Sequence, residues 1–254
     1  MKKSLVSFVA LMWSFPALAA DLPVKYKAPV AIPFSWTGFY VGANGGCAGE
    51  RSDIGSPVND ADPGPNAFFR FDTERQGGCF GGVQAGYNYQ FAGRWVAGLE
   101  ADAQFGLLSS RGQLLEVEGA NPEVLAAYSQ TMRHYGTARG RLGYAAELPV
   151  LGKSLWYVTG GFAWARNNMS VNAFETSTGA VNFGDTKTLT GYAVGAGAEF
   201  AFTRNWSVKV EYLFMDFGNN TYNAFVSDDG SLLSAVNATT TMHTGRFGLN
   251  YRFN

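Results

Sequence analysis

The stretch NWSVKVEYLFMDF, residues 205–217, decides the fold. Trp206, Val208, Val210, Tyr212 and Phe214 fall on one side of a period-two pattern, and Ser207, Lys209 and Glu211 on the other. A strand sends successive side chains to opposite faces, so the segment reads as a strand with one apolar and one charged face. The apolar face is continuous and large, and the other face carries full charges. That pairing suits lipid outside and a polar interior inside.

The same pattern recurs along the chain. Val83, Ala85, Tyr87, Tyr89 and Phe91 oppose Gln84, Gly86, Asn88 and Gln90. Trp95, Ala97, Leu99 and Ala101 oppose Glu100, Asp102 and Gln104. Ala138, Leu142 and Tyr144 oppose Arg133, Arg139 and Arg141, and Phe247, Leu249, Tyr251 and Phe253 oppose Arg246, Asn250 and Arg252. Eight segments alternate in this way, at 35–48, 78–91, 94–108, 130–147, 154–171, 186–202, 205–217 and 240–253. Each exceeds the ~9–11 residues that a tilted strand needs to cross a bilayer. No run approaches the ~20 apolar residues of a spanning helix, so a membrane-spanning form of this chain is a closed barrel.

The connections alternate as well. Short turns fall near Ala92-Gly93, Leu148–Lys153 and Thr203-Arg204, and longer loops near 49–77, 109–129, 172–185 and 218–239. Short periplasmic turns and long external loops are the habit of outer-membrane barrels. The expectation is an all-β, eight-stranded antiparallel transmembrane barrel of the OmpA/OmpX-like type, with both termini periplasmic and the loops extracellular. Trp36, Trp95, Trp156 and Trp206 each begin an odd-numbered segment, where a periplasmic aromatic girdle belongs.

Composition agrees. Charged residues are 15% and the formal net charge is −1, which gives no electrostatic case for nucleic acid as a partner. Glycine (32) and aromatics (15%) are abundant. The first residues form a secretory leader: Lys2 and Lys3, an apolar Leu5–Phe15, then Ala17-Leu18-Ala19 as a cleavage site. The domain layout is therefore a signal peptide at 1–19, a Pro-rich periplasmic arm at 20–34 and the barrel at 35–254.

The ends of the chain carry a family likeness. Ala20-Asp21-Leu22-Pro23, then Trp36-Thr37-Gly38-Phe39-Tyr40-Val41-Gly42, then Asn250-Tyr251-Arg252-Phe253, resemble the alpha-proteobacterial outer-membrane immunogenic protein family, the RopB-like small barrels. The resemblance implies a porin-family barrel in a Gram-negative cell outer membrane, abundant there and exposed as a surface antigen. Family members end on their aromatic residue, which the assembly machinery reads; here Asn254 follows Phe253.

The candidate site is the charged face. Glu100, Asp102, Glu199 and Glu211 are expected to share the lumen with Arg133, Arg139, Arg141, Lys209, Arg246 and Arg252. Eight strands leave an interior just wide enough to be filled by side chains. A plug of ion pairs is thus favoured over a narrow conduit. Cys47 and Cys79 sit near the ends of adjacent segments with apolar-face parity, compatible with a disulfide or with two small reduced residues. His134 and His243 are the only histidines, and both have lipid-face parity. No convergent catalytic set, metal-ligand spacing or nucleotide loop is visible, so the chain reads as a non-enzyme with no cofactor and no metal. Expected partners are outer-membrane lipid and lipopolysaccharide, the barrel assembly machinery during insertion, and host or environmental ligands at the loops. The main function expected is structural and surface-exposed. The alternatives are a small porin, and a receptor or adhesin (for example for haem) acting through loops such as the one holding Phe68, Phe69 and Phe71.

Overall fold

Every alternating segment forms a strand in the computed structural model, and most strands run past the point where the sequence pattern stops. The structure describes residues 33–55, 76–114, 124–150, 152–175, 179–226 and 232–253. The expected leader at 1–19, the arm up to residue 32, Phe68, Phe69, Phe71 and Asn254 lie outside the described residues.

The strands are β1 (Gly38–Gly55), β2 (Gln76–Phe91), β3 (Trp95–Leu114), β4 (Val124–Leu148), β5 (Gly152–Glu175), β6 (Gly179–Ala201), β7 (Trp206–Val226) and β8 (Leu232–Arg252). Each pairs antiparallel with its chain neighbour, and β1 closes on β8 with Tyr40 opposite Arg252. Closure leaves no open edge, which a strand in lipid cannot tolerate. At one end lie the short connections, including a tight turn with Ala92 and Gly93 both at positive φ. This is the turn end. The other is the loop end.

The two faces of the wall exchange character partway along. Toward the turn end, large apolar side chains point outward: Val83, Tyr87, Leu99, Leu142, Val158, Phe162, Val194, Val210 and Phe247 are all exposed. Toward the loop end the outward residues become polar. On β5 they are Arg166, Asn168 and Ser170; on β6 they are Thr186, Thr188 and Thr190. Over the same stretch an apolar cluster forms inside, of Leu108, Met132, Met169, Leu189, Leu213, Met215, Phe217 and Met242 among others, with Asn167 and the hydrogen-bonded pair Glu50 and Gln130 buried alongside.

The strands outrun the bounds that the sequence pattern sets. Segment one ends at residue 48 and segment seven at 217, yet β1 continues to Gly55 and β7 to Val226. Likewise β6 starts at Gly179 and β8 at Leu232, several residues before the expected 186 and 240. On β6 the alternation runs on toward the loop end with its polarity reversed, Thr186, Thr188 and Thr190 outside against Leu189 and Ala193 inside. A 20-residue strand such as β3, rising about 3.3 Å per residue at a tilt of about 40°, spans roughly 50 Å of barrel axis. That is about twice the ~25 Å apolar band of a membrane barrel. The excess is built like a soluble barrel, apolar inside and polar outside.

Candidate functional site

The interior is stacked in three layers. Nearest the turns, Trp36 packs with Val96, Leu155 and Tyr157, and Phe34 and Ala201 lean on them. The Arg252 guanidinium lies 4.7 Å from the Trp36 ring centre and 4.6 Å from that of Phe34, and Lys153 stacks on the far ring at 4.7 Å. The Trp36 backbone N–H donates to Gln90 Oε1 at 2.8 Å.

The charged layer forms the waist. Glu100 sits at its centre. It accepts Lys209 Nζ at 2.7 and 2.8 Å, Arg139 Nη2 at 2.6 Å and Tyr40 Oη at 2.7 Å, with Arg246 Nη2 at 3.4 Å and Arg141 Nη1 at 3.6 Å. Asp102 takes Thr137 Oγ1 at 2.6 Å, Arg139 at 3.1 Å and Arg246 at 3.2 Å. Glu211 pairs with Arg246 and Arg139 and accepts Tyr157 Oη at 2.9 Å. Glu199 holds Ser207 Oγ at 2.5 Å, Asn250 Nδ2 at 3.1 Å and Arg141 at 3.4 Å. Glu100, Asp102, Glu199 and Glu211 thus face Arg139, Arg141, Lys209 and Arg246, and formal charge cancels within the layer. All of these side chains are almost wholly removed from solvent. Charges so buried persist only when paired and hydrogen-bonded, and here each carboxylate meets at least one cation, although Arg141 Nη2 is left without a partner. Glycine makes the room: a Cβ on Gly197 would stand 2.6 Å from Tyr157 Oη.

The third layer, toward the loops, is the apolar cluster already described. The only methionines beyond position 12, Met132, Met169, Met215 and Met242, all belong to it. Unbranched and polarisable, they fill irregular gaps. Sequence reasoning missed this layer, because it took the lumen-facing parity to be polar throughout.

Two sequence expectations are corrected. Arg133 does not enter the lumen. Met132 pairs with Asn167 and His134 with Arg166, so Arg133 is an extra residue, a β-bulge, and it is exposed on the outer wall beside His134. The bulge shifts the parity of β4, which no alternation count detects. Trp36 does not join a girdle. It is 2% exposed, whereas Trp95, Trp156 and Trp206 are 44%, 50% and 40% exposed on the outer wall at the turn end. It precedes β1 and turns into the mouth of the barrel, so strand parity does not govern it. Arg252 is inside but sits apart from the ion pairs, with Nη2 donating to the Arg204 carbonyl at 3.1 Å.

Cys47 and Cys79 are direct cross-strand partners on the outer face of β1 and β2, joined as a disulfide with Cα atoms 4.0 Å apart. His134 and His243 also face outward. His243 Nδ1 lies 2.6 Å from Tyr212 Oη, and neither histidine meets the interior carboxylates.

Comparison with known proteins agrees with this architecture. The family described as outer membrane protein beta-barrel domain matches residues 7–253. The 31 kDa outer-membrane immunogenic protein of Brucella melitensis is 36% identical, over the whole of both chains. The 22 kDa outer membrane protein of Rhizobium leguminosarum is 30% identical, over 81% of this chain and 74% of its own. Among solved structures, the outer membrane protein OprG of Pseudomonas aeruginosa aligns at 14% identity with a TM-score of 0.46, covering 85% of this chain and 97% of that one.

Proposed function

From the premise that the chain belongs to the outer membrane beta-barrel family, we propose that it is a sealed, surface-displaying barrel whose role in the envelope is structural. One observation carries this reading. Every layer of the interior is filled, by rings at the turn end, by charge-balanced ion pairs at the waist and by methionine, leucine and phenylalanine toward the loops. A conducting lumen needs continuous water contact along its wall. Here the waist carboxylates spend their lone pairs on neighbouring side chains.

In the proposed orientation the turn end faces the periplasm and the loop end the exterior. The exposed Trp95, Trp156 and Trp206 support it as a periplasmic interface belt. So does the polar outer face of β5 and β6 beyond the apolar band, which suits water outside the cell. The connection between β1 and β2, residues 56–75, is then displayed outward. The word immunogenic in the Brucella relative's name fits a protein that offers such loops to antibodies.

The test is conductance. Refolded barrel, verified by heat-modifiable gel mobility, is inserted into a planar bilayer. Silence at neutral pH is the expected result. Reproducible steps from folded protein support a porin instead. Protease accessibility of residues 56–75 on intact cells tests the orientation separately.

A further inference from the structure

The bulge at Arg133 has a cost and a result. It interrupts the β4–β5 ladder, and it turns a guanidinium out of the lumen and onto the wall. There Arg133 adjoins His134, whose cross-strand partner is Arg166. Residues directly opposite in an antiparallel pair are about 5 Å apart at Cα, so three basic side chains leave the wall within one rung. Neither Arg133 nor Arg166 has a carboxylate or hydrogen-bond partner among the described residues. The waist arginines, by contrast, are all paired.

The height of this trio is informative. Descending β4 and β5 from it, the outward pairs are Gly136 with Trp164, Ala138 with Phe162, Gly140 with Gly160 and Leu142 with Val158. This is the apolar wall. Above it stand Asn168 and Ser170. The trio therefore marks the line where lipid-facing surface gives way to water-facing surface. Trp164 lies across Gly136, where an added Cβ would stand 2.8 Å from the indole Nε1, so the ring forms a shelf below the arginines. Phe105 closes the other side against His134, with ring centres 5.5 Å apart. Below the trio the outward positions of β4 are the small residues Gly136 and Ala138.

We infer that Arg133, His134 and Arg166 form a binding site for the phosphate groups of an outer-leaflet glycolipid, whose acyl chains lie down the β4–β5 wall past Trp164 and Phe162. Guanidinium groups match phosphate in geometry and charge, and exposed basic groups without a protein counter-ion at a lipid–water boundary attract anionic headgroups. The inference rests on the orientation proposed above, with the loop end outside.

The experiment uses the full refolded barrel in detergent, with native mass spectrometry reading lipid retention. It is titrated with diphosphoryl lipid A, with dephosphorylated lipid A and with inorganic phosphate. The wild type is expected to retain diphosphoryl lipid A. The Arg133→Gln/Arg166→Gln pair should bind it about tenfold more weakly, a loss of the size expected for charge-assisted contacts. Arg94→Gln, at the turn end, should bind as the wild type does. Equal binding by the double variant, or equal binding of the dephosphorylated lipid, overturns the site. Displacement of the lipid by equimolar inorganic phosphate overturns the lipid as its source and leaves a free-anion site. Heat-modifiable mobility reports folding, and Arg166→Gln alone serves should the pair fail to fold. Because binding is read in detergent, a wrong orientation in cells appears only in the protease assay and leaves this result standing.

Discussion

The waist of the barrel and the part of it nearest the loops are made from the same strands and rest on opposite chemistry. At the waist the wall is apolar outside and the interior is ionic, with Glu100 held by Lys209, Arg139 and Tyr40. Nearer the loops the wall carries Arg166, Asn168 and Thr188 outside, and Leu189, Leu213 and Met242 pack inside. The first arrangement gains nothing from moving apolar side chains inward, since they already face lipid. Its specificity comes from polar groups that have no other partner. The second draws on the hydrophobic effect, as any soluble core does. A single strand such as β5 therefore changes solvent along its length.

Substitutions can break or sharpen this contrast. The largest effect is expected at Glu100→Ala, which strands several buried cations at once. Loss of one partner from a buried ionic network costs about 3–5 kcal/mol, read as a lower urea midpoint for the barrel in vesicles. Leu213→Ala, in the apolar layer, leaves a cavity and should cost about 3 kcal/mol in the same assay. An effect near zero would mean that the layer is hydrated and the contrast false. On the wall, Val158→Lys places a cation in the apolar band and should cost about 2 kcal/mol. Thr186→Lys, outward opposite Asn168 and beyond the band, should stay within about 0.5 kcal/mol of wild type. Equal penalties for the two lysines would remove the boundary between the regions.

How much of this was legible depends on which region is considered. The alternation of Val83 to Phe91 and of Trp206 to Phe214 identified strands because lipid outside and charge inside maximise the contrast between faces. Toward the loops the alternation persists, as in Thr186, Thr188 and Thr190 against Leu189 and Ala193. Its sign is reversed, and a reading that equates apolar with outward ends the strand there. Met169, Met215 and Met242 fall on lumen parity in the sequence, a legible sign of an apolar layer, whereas Met132 joins them only through the bulge at Arg133. Arg133 was beyond reach, because a bulge adds one residue without a compositional mark. Trp36 was beyond reach for a different reason: it precedes β1, and its inward turn is set by the ring cluster with Arg252 rather than by strand parity.

The most direct test of the change of solvent is a spin-label scan of the outward positions of β5, from residue 156 to residue 170, one label at a time in lipid vesicles. Collision with oxygen, which concentrates in the bilayer, is compared with collision with a water-soluble nickel chelate. The account predicts oxygen-dominated labels at 158, 160 and 162, a crossover at 164–166 and nickel-dominated labels at 168 and 170. Oxygen dominance continuing to 170 would contradict it, since the loop-end half of the strand would then lie in lipid as well.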